Sequence, residues 1–434
     1  MNKEEASHYT FNGAFVSHPP FTRNYADSFL LFEKGKGVWL WDHLGKKYLD
    51  FGSGIAVNSF GHGRADFAKI VARQMKTLAH TSNLFTTEPT LGLARRLTGS
   101  SPLPADQPYK DASPSHYFAG VHLGNSGSEA NETALKYARI HAKRKAKPNG
   151  FKVLAFKNSF HGRTMGALSA TWTEKYRTPS EPLVPGFEFI EFNDVDTLRK
   201  VLTSDFCAVI VEPVQGEGGL NPVTPAFAAA LNERCRTLDI TLIADEVQCG
   251  MGRTGTFFAS EQLGLEPDII TLAKPLAGGL PASATLVRKA VADSIHPGDH
   301  GGTFGGNPVA CALGCHIFDF VNTPAFLNNV RELSRHFRDG LTELKTRYPF
   351  LGNLKGLGML VGLEINEPGT LGPGSSDTIA RLLDVARDNG LIVLRSGTNI
   401  LRLAPPLTMN TREAEKGLVL LDKVFTAFAK AGKQ

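Results

Sequence analysis

Residues 241–281 read TLIADEVQCGMGRTGTFFASEQLGLEPDIITLAKPLAGGLP, and the fold class follows from them. Thr241-Leu242-Ile243-Ala244 is a short, β-rich apolar run that ends at Asp245-Glu246, the pattern of a buried parallel strand with acids at its carboxyl end. After a glycine-punctuated loop, Asp268-Ile269-Ile270-Thr271-Leu272-Ala273 forms a second run, closed by Lys274, Pro275 and Gly278-Gly279. Open α/β sheets place ligands at that carboxyl edge.

A carboxylate and a lysine on neighbouring strand ends suit a cofactor with a cationic ring nitrogen at one edge and an aldehyde at the other. Pyridoxal phosphate has both. The lysine can hold the aldehyde as a Schiff base and then move a proton, a role open to it when burial or a cationic neighbour lowers its pKa. The aspartate keeps the ring nitrogen protonated, so that the ring draws off carbanion charge. Taken alone, the two residues fit equally well a turn cap at Asp245 and a surface lysine at 274.

Outward from this stretch, short apolar runs alternate with helical patterns from residue 88 to 330: VHLGN, a helix from 128, FKVLAF, FEFIEF, CAVIVEP, TLIADE, DIITLA and SATLVR. The alternation predicts an α/β fold whose largely parallel sheet is covered on both faces. Residues 29–51 hold three β-like runs separated by KGKG and HLGKK, a small meander, and a helix is expected over 64–79. Residues 1–28, with Pro19-Pro20, read as an irregular arm. From about 308, long helical patterns precede β-like runs at 352–363, Leu391 to Leu394 and Ile400 to Ala404, which predicts a second domain of helices on a small sheet. The expected division is an arm and meander over 1–63 that belong with the smaller domain, a large domain over 64–325 and the small α+β domain over 326–434.

The length of 434 residues allows more than one domain, and 42% apolar with 21% charged residues is the composition of a globular protein. A net charge of +5, from 47 basic and 42 acidic residues, is far from a nucleic-acid binder's stripe. The densest basic run, His141 to Lys147, closes a helix before Pro148-Asn149-Gly150 and complements its dipole. Cysteines at 207, 235, 249, 311 and 315 form no CxxC pair, and an odd number cannot all pair within one chain, which fits a reducing compartment. Cys311 and Cys315 share a helix face among small residues and read as core, not as metal ligands. With no apolar signal core at the start and no apolar run of about 18 residues, no membrane span is expected and the location is expected to be cytoplasmic.

Three more strand ends carry polar, glycine-rich loops. Residues 123–131, LGNSGSEAN, run from a strand end into a helix start, where the amides of Gly127 and Ser128 make either a phosphate site or a plain cap built on Ser126 or Ser128. Residues 158–164, NSFHGRT, offer Phe160 as a ring to stack on a flat group, Arg163 as a carboxylate clamp, and His161 as a helper without metal partners; core packing and a loop salt bridge fit the first two as well. Residues 212–219, EPVQGEGG, occupy the same position after CAVIV. Four such loops on one edge of a sheet mark a site.

These motifs, with AKPLAGG, GGTFGGNP and LRLAPPL, stand in the order in which the class III pyridoxal-phosphate aminotransferases carry theirs, and the chain closely resembles that family from about residue 30 to 425. Within it, LDFGSGIAVNSFGHG, HTSNLF with TEP, and APPL are most similar to the acetylornithine aminotransferases, including relatives that act on succinyldiaminopimelate. The resemblance implies the fold of aspartate aminotransferase (fold type I) and a homodimer. It further implies Lys274 as the Schiff-base lysine, Asp245 as partner of the pyridine nitrogen, Gln248 near the ring hydroxyl, Val247 against the cofactor and Phe160 stacked on it. Gly127 and Ser128 match the phosphate cradle, and Thr303 a phosphate contact made across a two-fold interface. Arg402 matches the arginine for an amino-acid carboxylate, Glu217 the acid that pairs with it when another substrate enters, and Arg163 the group near the distal carboxylate or acyl end.

Ser128, Pro275, Cys249 and Phe85-Thr86 depart from the family pattern, the last pair by lacking a tyrosine near the substrate's far end. The implied reaction passes the ω-amino group of N-acetylornithine, or a similar acylated diamino acid, to 2-oxoglutarate. Rival readings are an ornithine or 4-aminobutyrate aminotransferase with the same cofactor residues, an aminomutase, and a non-catalytic ligand-binding regulator.

Overall fold

The computed structural model describes residues 9–11, 14–16, 22, 24, 30–99, 118–145, 150–368 and 372–431. A seven-stranded sheet organises them, in the spatial order Phe118–Gly124, Ser283–Arg288, Ile269–Leu272, Thr241–Asp245, Phe206–Val211, Lys152–Phe156, Phe187–Ile190. FCAVIV, TLIAD and IITL are buried along their whole length, because helices cover both faces and leave no strand position facing water. Asp245 pairs in register with Thr271 of the parallel neighbour, so the Asp245 and Lys274 strand ends lie side by side.

The sheet is not wholly parallel: Ser283–Arg288 runs antiparallel to both of its neighbours. The connection 273–282 is too short for the crossover of a dozen or more residues that a parallel return requires. The six other strands share one direction, and their carboxyl ends form one edge.

The meander at the N-terminal end is present as Phe32–Lys36, Trp39–Asp42 and Lys47–Asp50, with a fourth strand, Leu391–Ile392, added in parallel from far along the chain. The run expected from Leu391 to Leu394 is therefore divided. Its first two residues join the meander, whereas Leu394–Ser396 pairs with Ile400–Leu403 in a second antiparallel sheet completed by Leu351–Leu357 and Leu360–Ile365. A continuous apolar stretch carries no mark of where one sheet hands over to another.

The arm was expected to be irregular, and that reading is corrected at one place: Tyr9–Phe11 and Ala14–Val16 pair as an antiparallel ladder. The signal lay in aromatic and β-branched residues on both sides of Asn12-Gly13, the dipeptide hairpins favour. Pro19-Pro20 and residues 146–149 lie outside the described residues. The expected helix over 64–79 spans Ala65–Thr77, and the helix from 128 spans Gly127–Arg144.

Helices Pro308–Val321, Pro324–Arg347, Ser376–Asp388 and Thr411–Ala431 account for the long helical patterns. Cys311 is buried and Cys315 half-buried on the first of them, and all five cysteines are free. One apolar core joins these helices to both smaller sheets and to one face of the large sheet, with Phe51 edge-on to Phe337 at 5.5 Å. Arg253 is fully buried there, donating to the carbonyls of Met359 (3.2 Å) and Pro405 (2.6 Å) and to Ser59 Oγ (2.8 Å). These bonds tie the loop after Asp245 to the segments that flank Arg402, so the loop does not drift relative to that strand.

Candidate active site

Asp245 is the last residue of its strand and almost fully buried. Its Oδ2 accepts from Asn131 Nδ2 at 2.7 Å and meets His161 Nδ1 at 2.8 Å, while Oδ1 accepts from Val247 N at 3.1 Å and Thr271 Oγ1 at 3.4 Å. Asn131 is fixed in turn, donating to the His161 carbonyl at 2.7 Å and accepting from Thr271 Oγ1 at 2.9 Å. His161 N donates to Thr171 Oγ1 at 2.9 Å. A carboxylate can only accept, so Nδ1 of His161 carries a proton and donates it to Oδ2. The Nε2 of that ring is buried without a hydrogen-bond partner among the described residues.

Lys274, two residues past Leu272, is half-buried, and among the described residues it makes no hydrogen bond and no ion pair. Burial draws its pKa below the ordinary lysine value, helped by the positive charge of Arg402 and opposed by Glu217, Asp245 and Glu212. A depressed pKa leaves more of the neutral amine, the form that attacks a carbonyl carbon or accepts a proton.

The loop before helix Gly127–Arg144 is capped by Ser126, whose Oγ accepts from Glu129 N at 3.2 Å. Of the two caps open in the sequence, Ser126 is therefore the one used. Ser128 instead accepts from Arg163 N at 3.2 Å. Among the described residues the amides of Gly127 and Ser128 have no acceptor, and they stand at the positive end of an 18-residue helix. A Cβ at 127 would lie 2.7 Å from Val247 Cγ1, so only glycine lets this helix start close against the loop that follows Asp245.

Arg402 sits on a central strand of the second sheet, and unlike its buried apolar neighbours Leu401 and Leu403 it points to the polar side. Its Nη1 donates to Glu217 Oε1 (2.5 Å), the Gly216 carbonyl (3.1 Å) and Gln248 Oε1 (3.2 Å), while Nε is buried without a partner. Glu217 is about a third exposed against 4% for the Arg402 side chain, so the acid is the partner that can swing away. Arg163 is exposed and stacks on the Tyr176 ring, its guanidinium carbon 3.5 Å from the ring centre and 5.7 Å from that of Phe160. Thr303 is exposed on the 301–307 loop, which Asn83 holds by donating to the carbonyls of Gly302 (2.6 Å) and Gly305 (2.9 Å); no hydrogen bond joins Thr303 to the groups around Lys274.

The geometry thus joins Asp245 to His161 and Val247, Ser128 to the 160–163 loop, and Gln248 to Arg402 and through it to Glu217, while Thr303 makes no hydrogen bond to them among the described residues. Sequence reasoning gave no separate role to Asn131, Thr271, Glu212 or Tyr176. Asn131 lies one turn after the Gly127-Ser128 start on the inward side of the helix, and that spacing was its signal. Glu212 is buried at a strand end, accepting from Phe160 N (2.9 Å) and Gly216 N (2.8 Å), and burial pushes its pKa to about 7.

Pyridoxal phosphate fits these residues. The unacceptored amides at 127 and 128 suit its phosphate, the unpaired Lys274 its aldehyde, the buried Asp245 carboxylate a cationic ring nitrogen, and the flat ring of Phe160 its face.

A family model described as aminotransferase class-III matches residues 21–425. The chain is 43% identical over 402 residues to the mitochondrial acetylornithine aminotransferase of Neurospora crassa, covering 92% of this chain and 83% of the relative. Among solved structures it superposes on ornithine aminotransferase from Toxoplasma gondii, described with partial occupancy of PLP at its active site, with a TM-score of 0.85 and 31% identity, covering 96% of this chain and 94% of that one. N-acetylornithine aminotransferase from Stenotrophomonas maltophilia gives 0.78 at 31% identity, covering 95% and 98%.

Proposed function

The chain belongs to the class III aminotransferases, enzymes that use pyridoxal 5'-phosphate, and from that premise we propose that it moves the ω-amino group of N-acetylornithine, or a similar acylated diamino acid, to 2-oxoglutarate. The products are a semialdehyde and glutamate. The observation that carries the reading is Lys274: an unpaired amine of lowered pKa at the strand end beside a buried, four-times-bonded aspartate.

When bound, the cofactor supplies an aldehyde for the amine and a ring that takes up carbanion charge. With the cofactor bound, Lys274 would hold its aldehyde, and its Nζ, with a pKa lowered by burial, would be the group that takes and returns the proton at the carbon bearing the substrate nitrogen. Asp245 Oδ1 and Oδ2, held by Asn131, Thr271, His161 and Val247 N–H, face the ring nitrogen with a fixed negative charge. Phe160 and Val247 would hold the cofactor's ring and Gln248 its hydroxyl side, while the amides of Gly127 and Ser128 would hold its phosphate. Thr303, exposed and apart from its own Lys274, serves the phosphate of the other subunit in a two-fold dimer. The exposed Phe85 and Phe304 fit burial at such an interface.

Arg402 takes the substrate's carboxylate when Glu217 swings away, and keeps Glu217 as its partner when a substrate without a carboxylate there must enter. A buried guanidinium with neither partner would be strongly unfavourable. Arg163, its stacked guanidinium free of any carboxylate among the described residues, takes the substrate's far end. The relative named acetylornithine aminotransferase supports the acylated donor, and the higher TM-score of the ornithine aminotransferase favours free ornithine as the second reading.

No single helix among the described residues is long and apolar enough to cross a membrane. Five free thiols support a reducing compartment, the cytoplasm in our reading, although the relative from Neurospora crassa is named mitochondrial. Cell fractionation decides between the two.

The test is Lys274→Ala. The variant should lose the visible absorbance of the lysine-bound cofactor and at least ~10⁴-fold of turnover, the upper range for a positioned acid–base group; retained absorbance and turnover would overturn the assignment.

A further inference from the structure

Tyr176 lies in the short helix Glu174–Arg177, away from every motif of the carboxyl edge. Its ring nevertheless meets the site from outside: the Arg163 guanidinium carbon is 3.5 Å from its centre, and Phe160 stands edge-on at 6.4 Å and 87°. The short helix is anchored independently. Trp172 N donates to the Ser159 carbonyl at 3.0 Å, the Trp172 ring packs edge-on against Phe189 at 5.4 Å, and Arg177 lies over Phe189 at 5.0 Å. Tyr176 thus stands on a segment anchored apart from Arg163.

Arg163 is exposed, and its side chain forms no hydrogen bond or ion pair among the described residues, so stacking on the aromatic rings is what orients it. Stacking uses the face of a guanidinium and leaves its edge, with the N–H fork, open to a carboxylate. The Tyr176 hydroxyl likewise makes no hydrogen bond among the described residues, which assigns the work to the ring face. Tyr176 and Glu217 line one polar cleft together with Asn158, which places Tyr176 on the side from which the acid must move.

We infer that Tyr176 is a positioning residue that holds the Arg163 guanidinium edge-outward and thereby sets the preference for substrates with a second, distal carboxylate. The chain lacks a tyrosine at Phe85-Thr86, whereas Tyr176 sets an aromatic face directly against Arg163. The inference rests on Arg163 serving that far end, as proposed above.

The test is calorimetric binding of glutarate, a dicarboxylate with no keto group, to the cofactor-loaded enzyme, alongside kcat/KM for 2-oxoglutarate and for 2-oxobutyrate, which lacks the distal carboxylate. Tyr176→Leu and Tyr176→Gln should each weaken glutarate about fivefold, the scale of a partly exposed cation–π contact. The 2-oxoglutarate to 2-oxobutyrate preference should fall by the same factor, with kcat on 2-oxobutyrate unchanged, and Tyr176→Phe should behave as the native enzyme. An unchanged preference in the Leu and Gln variants, or a Phe variant as weak as they are, overturns the inference. Because glutarate binding involves no turnover, a native enzyme that fails to transaminate but binds glutarate about fivefold more tightly than the Leu and Gln variants would count against the proposed reaction and support the role of Tyr176.

Discussion

Asp245 and Glu246 are consecutive acids at the end of one strand, both almost fully buried, yet they open onto different surroundings. Glu246 is spent on its own fold: Oε1 accepts from Ser260 N (2.7 Å) and Ser260 Oγ (2.6 Å), and Oε2 from Ala259 N (2.7 Å), which closes the start of the short helix Ala259–Leu263. Asp245 is bonded as fully, but its partners lead onward to a buried His161 nitrogen without a partner and to a lysine without an ion pair. Burial of an acid therefore does not by itself mark a functional group. What marks it is an unsatisfied neighbour, because a buried polar atom left open costs stability unless something else comes to fill it.

Removing the charge from each acid in turn breaks the comparison most sharply. Asp245→Asn should lower kcat about 10²–10³-fold, the range for a preorganised electrostatic contact, and cost about 1–3 kcal/mol of stability because its amide turns a donor toward groups that donate to Asp245. Equal kcat in the variant and the native enzyme would remove Asp245 from the chemistry.

A pH series separates the two clusters next. Burial pushes both Glu246 and Glu212 up to about 7, so each binds a proton in the folded state that the unfolded chain has already released. Their favourable contribution is full below about pH 4.5 and is lost as pH rises through 7, about 3 kcal/mol for each at most. Denaturant unfolding followed from pH 4.5 to 8 should show this decline, and Glu246→Gln should remove roughly half of it.

At pH 5, Glu246→Gln should cost about 1–3 kcal/mol, because an amide turns a donor toward amides that need an acceptor, and kcat should stay within about twofold. A large loss of kcat with no loss of stability would place Glu246 on the catalytic side instead. The smallest effect expected is from Asn131→Ala, which takes one donor from Asp245 Oδ2 and should lower kcat about tenfold, in line with one hydrogen bond to a charged group.

The parts that were legible in the sequence are those with local signals. TLIAD and IITL announce buried strands because helices on both faces demand unbroken apolar runs, and the loops after them stand out by glycine and charge. The antiparallel strand Ser283–Arg288 and the divided run at Leu391–Leu394 are set by connection length and by competing sheets, neither of which alters apolar periodicity. Among site residues, Asp245 and Lys274 stand out as the charged residues that close unbroken apolar runs, whereas Arg402 is identified through the family resemblance. Tyr176 and Glu212 act through rings and amides far off in sequence, and nothing local distinguishes Tyr176 from any other tyrosine in a polar turn.

The most direct measurement of the central assignment is the absorbance spectrum of the purified, cofactor-loaded protein as N-acetylornithine, ornithine and 4-aminobutyrate are added separately, with no keto acid present. Loss of the visible band of the lysine-bound cofactor and growth of the pyridoxamine band on N-acetylornithine is the expected result, and restoration of the first band by 2-oxoglutarate completes it. A shift only with ornithine or 4-aminobutyrate would keep Lys274 and Asp245 in their roles and contradict the acylated donor, and no visible band at all would contradict the assignment of Lys274.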